Sequence, residues 1–199
     1  AEVQWYKSRC IGCDSCIEAC EQGGLKRGED GIERNRELCT ACGECVEACP
    51  AGAMELLGTV WSVNGLADEL VKDRALFEQS GGGVTLSGGE PSLQPDFTLA
   101  LIRELRQRGI SVALDTCGLC AWETLETLAA EADGVLYDIK LIDSSDHAHW
   151  TGARNERILT NLEKLAHLYK QTGKELWIRT PLIPGATVSA GNLGGISAY

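Results

Sequence analysis

The chain has 199 residues, enough for one ordinary domain and a small companion, with 18 basic against 29 acidic residues and a net charge of -11. That balance argues against nucleic acid or an anionic membrane as the main partner, because both would repel it. No apolar run approaches the roughly 20 residues of a membrane span and no signal peptide opens the chain, so a reducing, oxygen-poor cytoplasm is the expected setting.

Eight of the ten cysteines fall into two copies of one spacing, C-x2-C-x2-C-x3-C, at Cys10, Cys13, Cys16, Cys20 and at Cys39, Cys42, Cys45, Cys49. The copies lie 29 positions apart, and Ile17-Glu18-Ala19 matches Val46-Glu47-Ala48. Residues 1–57 therefore read as an internally duplicated ferredoxin-like module holding two 4Fe-4S clusters. In such modules three cysteines of a run hold one cluster and the fourth reaches across to the other. The expected sets are Cys10, Cys13, Cys16 with Cys49, and Cys39, Cys42, Cys45 with Cys20. Zinc would want one C-x2-C pair per half-site, and a disulfide framework would need an oxidising compartment. Pro50 follows Cys49 as the usual run demands, whereas Glu21 follows Cys20, a difference of local geometry only. The segment has few large apolar residues, so its clusters are expected to substitute for a core. Trp5 and Tyr6 precede the first run and are expected to pack on it. The charged stretch 26–37 reads as the hairpin between the halves.

From residue 58 the pattern changes to alternating helix and strand. One helix is expected over 64–79, with Leu66, Leu70, Val71 and Leu76 at helical spacing and a cap at Asn64. A strand at 84–86 then ends in Ser87-Gly88-Gly89-Glu90-Pro91. Helices near 95–108, 121–131 and 155–171 alternate with strands at 111–116, 135–140 and 175–181. His147, His149 and Trp150 fall on a polar loop, where solvent exposure or partner contact is expected. Short, nearly continuous apolar strands, each followed by a helix, indicate parallel strands with helical crossovers. A doubly wound sheet and a (β/α) barrel both fit. Glu90, Asp115, Asp138 with Lys140, and Arg179 each fall near the C-terminal end of a different strand, which favours the barrel, where those ends share one mouth. The expected fold for 58–199 is thus a partial α/β barrel.

Gly81-Gly82-Gly83-Val84-Thr85-Leu86-Ser87-Gly88-Gly89-Glu90-Pro91 closely resembles the radical SAM activating enzymes of glycyl-radical enzymes. So do Leu114-Asp115-Thr116-Cys117-Gly118, Leu136-Tyr137-Asp138-Ile139-Lys140, and Ile178-Arg179-Thr180-Pro181-Leu182-Ile183-Pro184-Gly185. The resemblance spans essentially the whole chain and includes the ferredoxin insertion. It implies that Ser87, Gly88, Gly89 and Glu90 hold the amino group of S-adenosylmethionine (SAM). Asp115, Thr116 and Asp138 match positions where the family can place a monovalent cation beside the SAM carboxylate, and Lys140 and Arg179 match its basic residues. The reaction implied is one-electron cleavage of SAM to methionine and a 5′-deoxyadenosyl radical, which takes hydrogen from a glycine Cα on a partner glycyl-radical enzyme. A flavodoxin or ferredoxin would supply the electron, and the ferredoxin clusters would store or relay it or help to dock a partner. Members with this insertion tend to serve enzymes acting on alcohols, choline, sulfonates or aryl acids.

The family's C-x3-C-x2-C, which holds the third, catalytic 4Fe-4S cluster, does not occur in the 199 residues. Cys117 and Cys120 read as cysteines of the site wall. The chain begins at Ala1 and stops at Tyr199 in what reads as the start of a helix, so both ends are expected to be internal to a longer protein. The chain itself, holding barrel strands two to five, is expected not to cleave SAM, and its open sheet edges are expected to favour pairing between copies. A ferredoxin-type electron-transfer module with a noncatalytic binding domain, or an interaction protein with structural clusters, are the alternatives.

Overall fold

A computed structural model describes residues 2–199, which fall into two units, the first reaching to Trp61 and the second spanning Ser62–Tyr199. The first unit runs β1 (Glu2–Trp5), α1 (Ser15–Glu18), β2 (Leu25–Gly28), β3 (Gly31–Arg34), α2 (Glu44–Glu47) and β4 (Met54–Leu57). Each element of its second half lies 29 positions after its counterpart in the first, so the duplication read from the cysteines extends to the backbone. β1 pairs antiparallel with β4, and β2 with β3. The β2–β3 hairpin turns at Glu29-Asp30 inside the charged stretch, and Gly31 is obligatory there: its φ is 136° and a Cβ would lie 2.0 Å from the Trp5 ring. Val3, Leu25, Ile32 and Met54 are buried together with Cys16 and Cys45.

The second unit begins with α3 (Val63–Val71) and α4 (Arg74–Ser80) in place of the single helix expected over 64–79. The first helix tightens at its end into bonds from Lys72 to Glu69 (3.2 Å) and Asp73 to Leu70 (3.3 Å). The reorientation leaves Leu76 mostly exposed and lets Arg74 donate to the Arg108 carbonyl at 2.5 Å. The cap is Ser62, whose hydroxyl accepts from the Gly65 N–H at 3.1 Å, and Asn64 lies inside the helix.

There follow β5 (Gly83–Leu86), a 3-10 turn (Pro91–Leu93), α5 (Pro95–Gln107), β6 (Ser111–Thr116), α6 (Trp122–Glu131) and β7 (Gly134–Asp138). The chain continues through α7 (Ser144–Thr151), α8 (Glu156–Thr172), β8 (Glu175–Arg179) and α9 (Ala190–Ala198). The expected loop around His147 is therefore α7, capped by Asp143 accepting from Ser145 and Asp146 at 2.9 Å. His147 is buried, with Nδ1 2.7 Å from the Ala153 carbonyl, which corrects the expectation of exposure. A hydrophilic stretch formed a helix because its cap and its back-bonded Thr151 satisfied the ends.

The four strands of this unit pair in parallel in the order β5-β6-β7-β8. Consecutive order without a reversal is the arc of a (β/α) barrel, whereas a doubly wound sheet would reverse at a switch point. One face of the sheet, with Val112, Leu114, Val135 and Tyr137, is buried against Leu101, Ile102 and Leu105 of α5, Leu125 and Leu128 of α6, and Leu162 and Leu165 of α8. Because side chains alternate along a strand, the other face carries Ala113, Asp115, Leu136, Asp138 and Arg179, and register places Asp115 beside Leu136 and Asp138 beside Arg179. Three of the polar residues singled out in the sequence, Asp115, Asp138 and Arg179, lie on that face, whereas Thr116 is buried on the other.

Candidate functional site

In the first unit the eight run cysteines converge on two cavities. One is lined by Cys10, Cys13, Cys16 and Cys49 together with Trp5, Ile32 and Met54. The other is lined by Cys20, Cys39, Cys42 and Cys45 together with Val3 and Leu25. Three thiols of one run and one of the other thus surround each space. Left-handed backbone makes this possible at matching places in the two loops: Gly12 (φ 74°) and Asp14 (φ 62°) in the first, Ala41 (φ 55°) and Gly43 (φ 93°) in the second. The turns aim successive thiols inward. Among the described residues no three His, Cys, Asp or Glu side chains close around a point suited to one metal ion. The thiols instead line spaces that suit a multinuclear thiolate-ligated group.

Burial pushes the Cys16 thiol up and the Cys45 thiol up to about 11, so a bound group must displace those protons. Around Cys49 burial is outweighed by N–H groups, foremost that of Ala53 at 3.2 Å, and its thiol is lowered. The Ser15 hydroxyl donates to Cys13 at 3.4 Å and lowers that thiol too. The indole Nε1 of Trp5, in the wall of the first cavity, is buried and has no hydrogen-bond partner among the described residues.

In the second unit two hydrogen-bonded sets lie at the strand ends. The Glu90 carboxylate accepts from the Thr116 hydroxyl at 2.7 Å, the Cys117 N–H at 3.0 Å and the Ser92 hydroxyl at 2.9 Å. Burial alone would raise its pKa; the Cys117 N–H and the Thr116 hydroxyl outweigh it and hold the carboxyl below its usual range. The Ser87 hydroxyl donates to Asp115 at 3.0 Å. Arg179 bridges Asp115 and Asp138, reaching the latter at 3.0 Å through Nε and 2.8 Å through Nη2. Lys140 stands 3.9 Å from Asp138. The carboxylates expected to flank a monovalent cation are bridged by a guanidinium. Desolvation opposes its charge, but Asp138 and Asp115 together raise the Arg179 pKa.

The glycine turn leaves open space. Gly88 has φ 118°, and a Cβ at Gly88 or Gly89 would meet nothing within 4 Å. Ser87, Gly89 and Glu90 also line a broad groove of about 930 Å³ beside β5, with Leu66 and Leu70 of α3 and Phe97 of α5. Cys117 and Cys120 are half-buried, and burial raises both thiols, which keeps them protonated near neutral pH.

Three buried asparagines, not singled out in the sequence, hold this end of the sheet in place. Asn161 donates to the carbonyls of Gly118 (2.8 Å) and Cys120 (3.0 Å). Asn155 donates to Leu141 (2.8 Å) and Ile142 (2.9 Å), and Asn192 to Lys140 (3.0 Å) and Thr187 (3.0 Å). Asn161 left a signal: it falls in the apolar stripe Ile158, Leu162, Leu165, Tyr169 of α8, where an unpartnered amide would be costly.

Two family models match the chain: the radical SAM superfamily over residues 59–190 and the 4Fe-4S dicluster domain over residues 9–53. The chain belongs to the radical SAM superfamily and carries a dicluster iron-sulfur domain. It is 45% identical over 193 residues to the trans-4-hydroxy-L-proline dehydratase activating enzyme of Clostridioides difficile, covering 96% of this chain and 63% of the relative. It is 37% identical to the benzylsuccinate synthase activating enzyme of Thauera aromatica, covering 100% of this chain and 60% of the relative. A crystal structure of a domain of the pyruvate-formate lyase-activating enzyme from Bacteroides vulgatus superposes with a TM-score of 0.52 at 34% identity, over 59% of this chain and 70% of that one. The curated relatives are activating enzymes by name, as the four motifs imply, and the chain spans 63–65% of the length of the first two listed.

Proposed function

We infer that this chain is part of an activating enzyme that uses SAM to install a radical on a glycine of a partner glycyl-radical enzyme. The carrying observation is a pair of hydrogen-bonded sets at the strand ends, Glu90 with Thr116 and Ser87-Asp115-Arg179-Asp138, beside a glycine turn at which a Cβ would meet nothing within 4 Å. SAM, cleaved by one electron, supplies the 5′-deoxyadenosyl radical. The chain's own residues bind and orient. The open backbone at Gly88 and Gly89 admits a ligand close to the main chain, and Glu90, kept ionised, attracts an ammonium group. Lys140 and Arg179 offer donors to a carboxylate or to ribose hydroxyls. A monovalent cation between Asp115 and Asp138 would have to displace Arg179, so the guanidinium-bridged pair is the form this geometry favours.

The dicluster unit is proposed to hold two 4Fe-4S clusters, one on Cys10, Cys13, Cys16 and Cys49, the other on Cys20, Cys39, Cys42 and Cys45. Electrons from a flavodoxin- or ferredoxin-class donor would pass through them. The dividing line between functions is taken near residue 57, with 1–57 carrying clusters and 58–199 the SAM side. The cytoplasm is the proposed setting; no helix among the described residues is long and apolar enough to cross a membrane.

The test is made in the protein that also carries C-x3-C-x2-C, reconstituted without oxygen. Reduced with SAM, it should release 5′-deoxyadenosine and methionine in equal amounts. Gly89→Val, whose Cβ would meet no protein atom within 4 Å, should abolish SAM binding and leave the iron content of the dicluster unit unchanged. Unaltered SAM affinity in that variant would remove the glycine turn from the site. 5′-Deoxyadenosine from the 199-residue chain alone would overturn the assignment of the reducing centre to the missing motif.

A further inference from the structure

The two cavities of the dicluster unit are alike in their thiols and unlike in what else reaches them. A shift of 29 positions carries Val3 onto Ile32 and Leu25 onto Met54; Val3 and Leu25 line the second cavity, Ile32 and Met54 the first. The same shift carries Trp5 onto Arg34, which does not line the second cavity and is held instead by Glu2. It carries Ser15, a donor to Cys13, onto the exposed Glu44. Only the first cavity has an indole in its wall, and the N–H of that indole is buried without a partner among the described residues. A buried donor left unpaired bears the full cost of its desolvation. The six-membered edge of the ring packs on Gly31, where a Cβ would lie 2.0 Å away.

We propose that the Trp5 indole N–H donates to a sulfur of the cluster in the first cavity and raises its reduction potential above that of the cluster in the second. This rests on the dicluster reading given above. Hydrogen bonds to cluster or ligand sulfur are among the determinants of these potentials. Reduction adds one negative charge to the cluster, so a fixed donor stabilises the reduced form more than the oxidised one, and burial strengthens the effect. One electron from an external low-potential reductant therefore rests first on the cluster beside Trp5. No bond is made or broken, and the proton stays on the indole nitrogen. The pair becomes a polarised step in which the second cluster is the stronger reductant.

The experiment uses the full 199-residue chain, reconstituted without oxygen to about eight irons and titrated with reductant while EPR follows each cluster. Two separated midpoints are expected. Trp5→Phe should move only the higher one, to more negative potential, at unchanged iron content. An unchanged midpoint at full iron content overturns the proposal while leaving the dicluster reading intact; wild-type protein that cannot hold a cluster in the first cavity overturns both. Should Trp5→Phe lose iron, wild-type protein grown with ¹⁵N-indole tryptophan decides. Trp61, Trp122, Trp150 and Trp177 line neither cavity, so a ¹⁵N hyperfine coupling to the first-reduced cluster supports the bond, and its absence in half-reduced protein overturns it.

Discussion

At the scale of single residues, the chain concentrates unusual backbone where sulfur has to be aimed. Ala41 stands at φ 55°, where its counterpart in the repeat, Gly12, stands at 74°. A left-handed conformation costs an L-residue roughly 1–2 kcal/mol, part of which glycine gives back through its freer unfolded chain. Ala41→Gly should therefore stabilise the first unit by about 0.5–1 kcal/mol, read as a shift of its denaturation midpoint with iron retained; a lower midpoint would show that the methyl group does more packing than the turn costs. The candidate site in the second unit could be named at this scale because its residues sit in short strings whose chemistry is explicit: a glycine turn followed by a carboxylate, and a carboxylate at or next to the end of each of two strands. Their partners were not. Nothing in the string around Glu90 says that Thr116 and the Cys117 N–H hold it ionised, because those donors come from the next strand, 26 and 27 positions away.

At the scale of elements, helix and strand alternation was readable from apolar spacing, with two exceptions that share a cause. The expected helix over 64–79 breaks at Lys72-Asp73, and a polar stretch after β7 forms α7. In each case local hydrogen bonding and neighbours from elsewhere prevailed over periodicity: Arg74 reaches the Arg108 carbonyl, and Asp143 caps α7. The asparagines act at this scale too. Asn161 joins α8 to the loop between β6 and α6 by two hydrogen bonds. Asn161→Ala would leave two carbonyls without these donors, a loss of about 2–3 kcal/mol. Urea titration should show it as an earlier midpoint at an unaltered slope. A change below about 0.5 kcal/mol would mean that the loop finds other donors.

At the scale of the whole molecule, the two units rest on different sources of stability. The second has an extensive apolar core, whereas two of the six buried apolar side chains clustered in the first, Cys16 and Cys45, are themselves run cysteines. Stripping iron with a strong chelator should unfold the first unit and leave amide protons of β6, β7 and α8 protected, since small domains organised by metal lose their fold with it. Hydrogen exchange measured by mass spectrometry reads both units at once. Persistent protection in β1 and β4 after complete iron loss would show that apolar packing suffices there.

The cysteine duplication, the alternation of strands and helices, the turn Ser87-Gly88-Gly89-Glu90 and the charged residues near the C-terminal ends of the strands can all be read from the chain alone. All of these are local, written within a few positions by spacing and residue type. Pairing of the strands brings Arg179 between Asp115 and Asp138, sets buried asparagines under the strand-end loops, and leaves Trp5, with its buried and unpartnered N–H, in the wall of one cysteine cavity and not the other. Those facts depend on which strands become neighbours and in what register. A pairing offset by one residue would turn Asp115 and Asp138 to the helix-covered face, and no string of residues read on its own contains that choice.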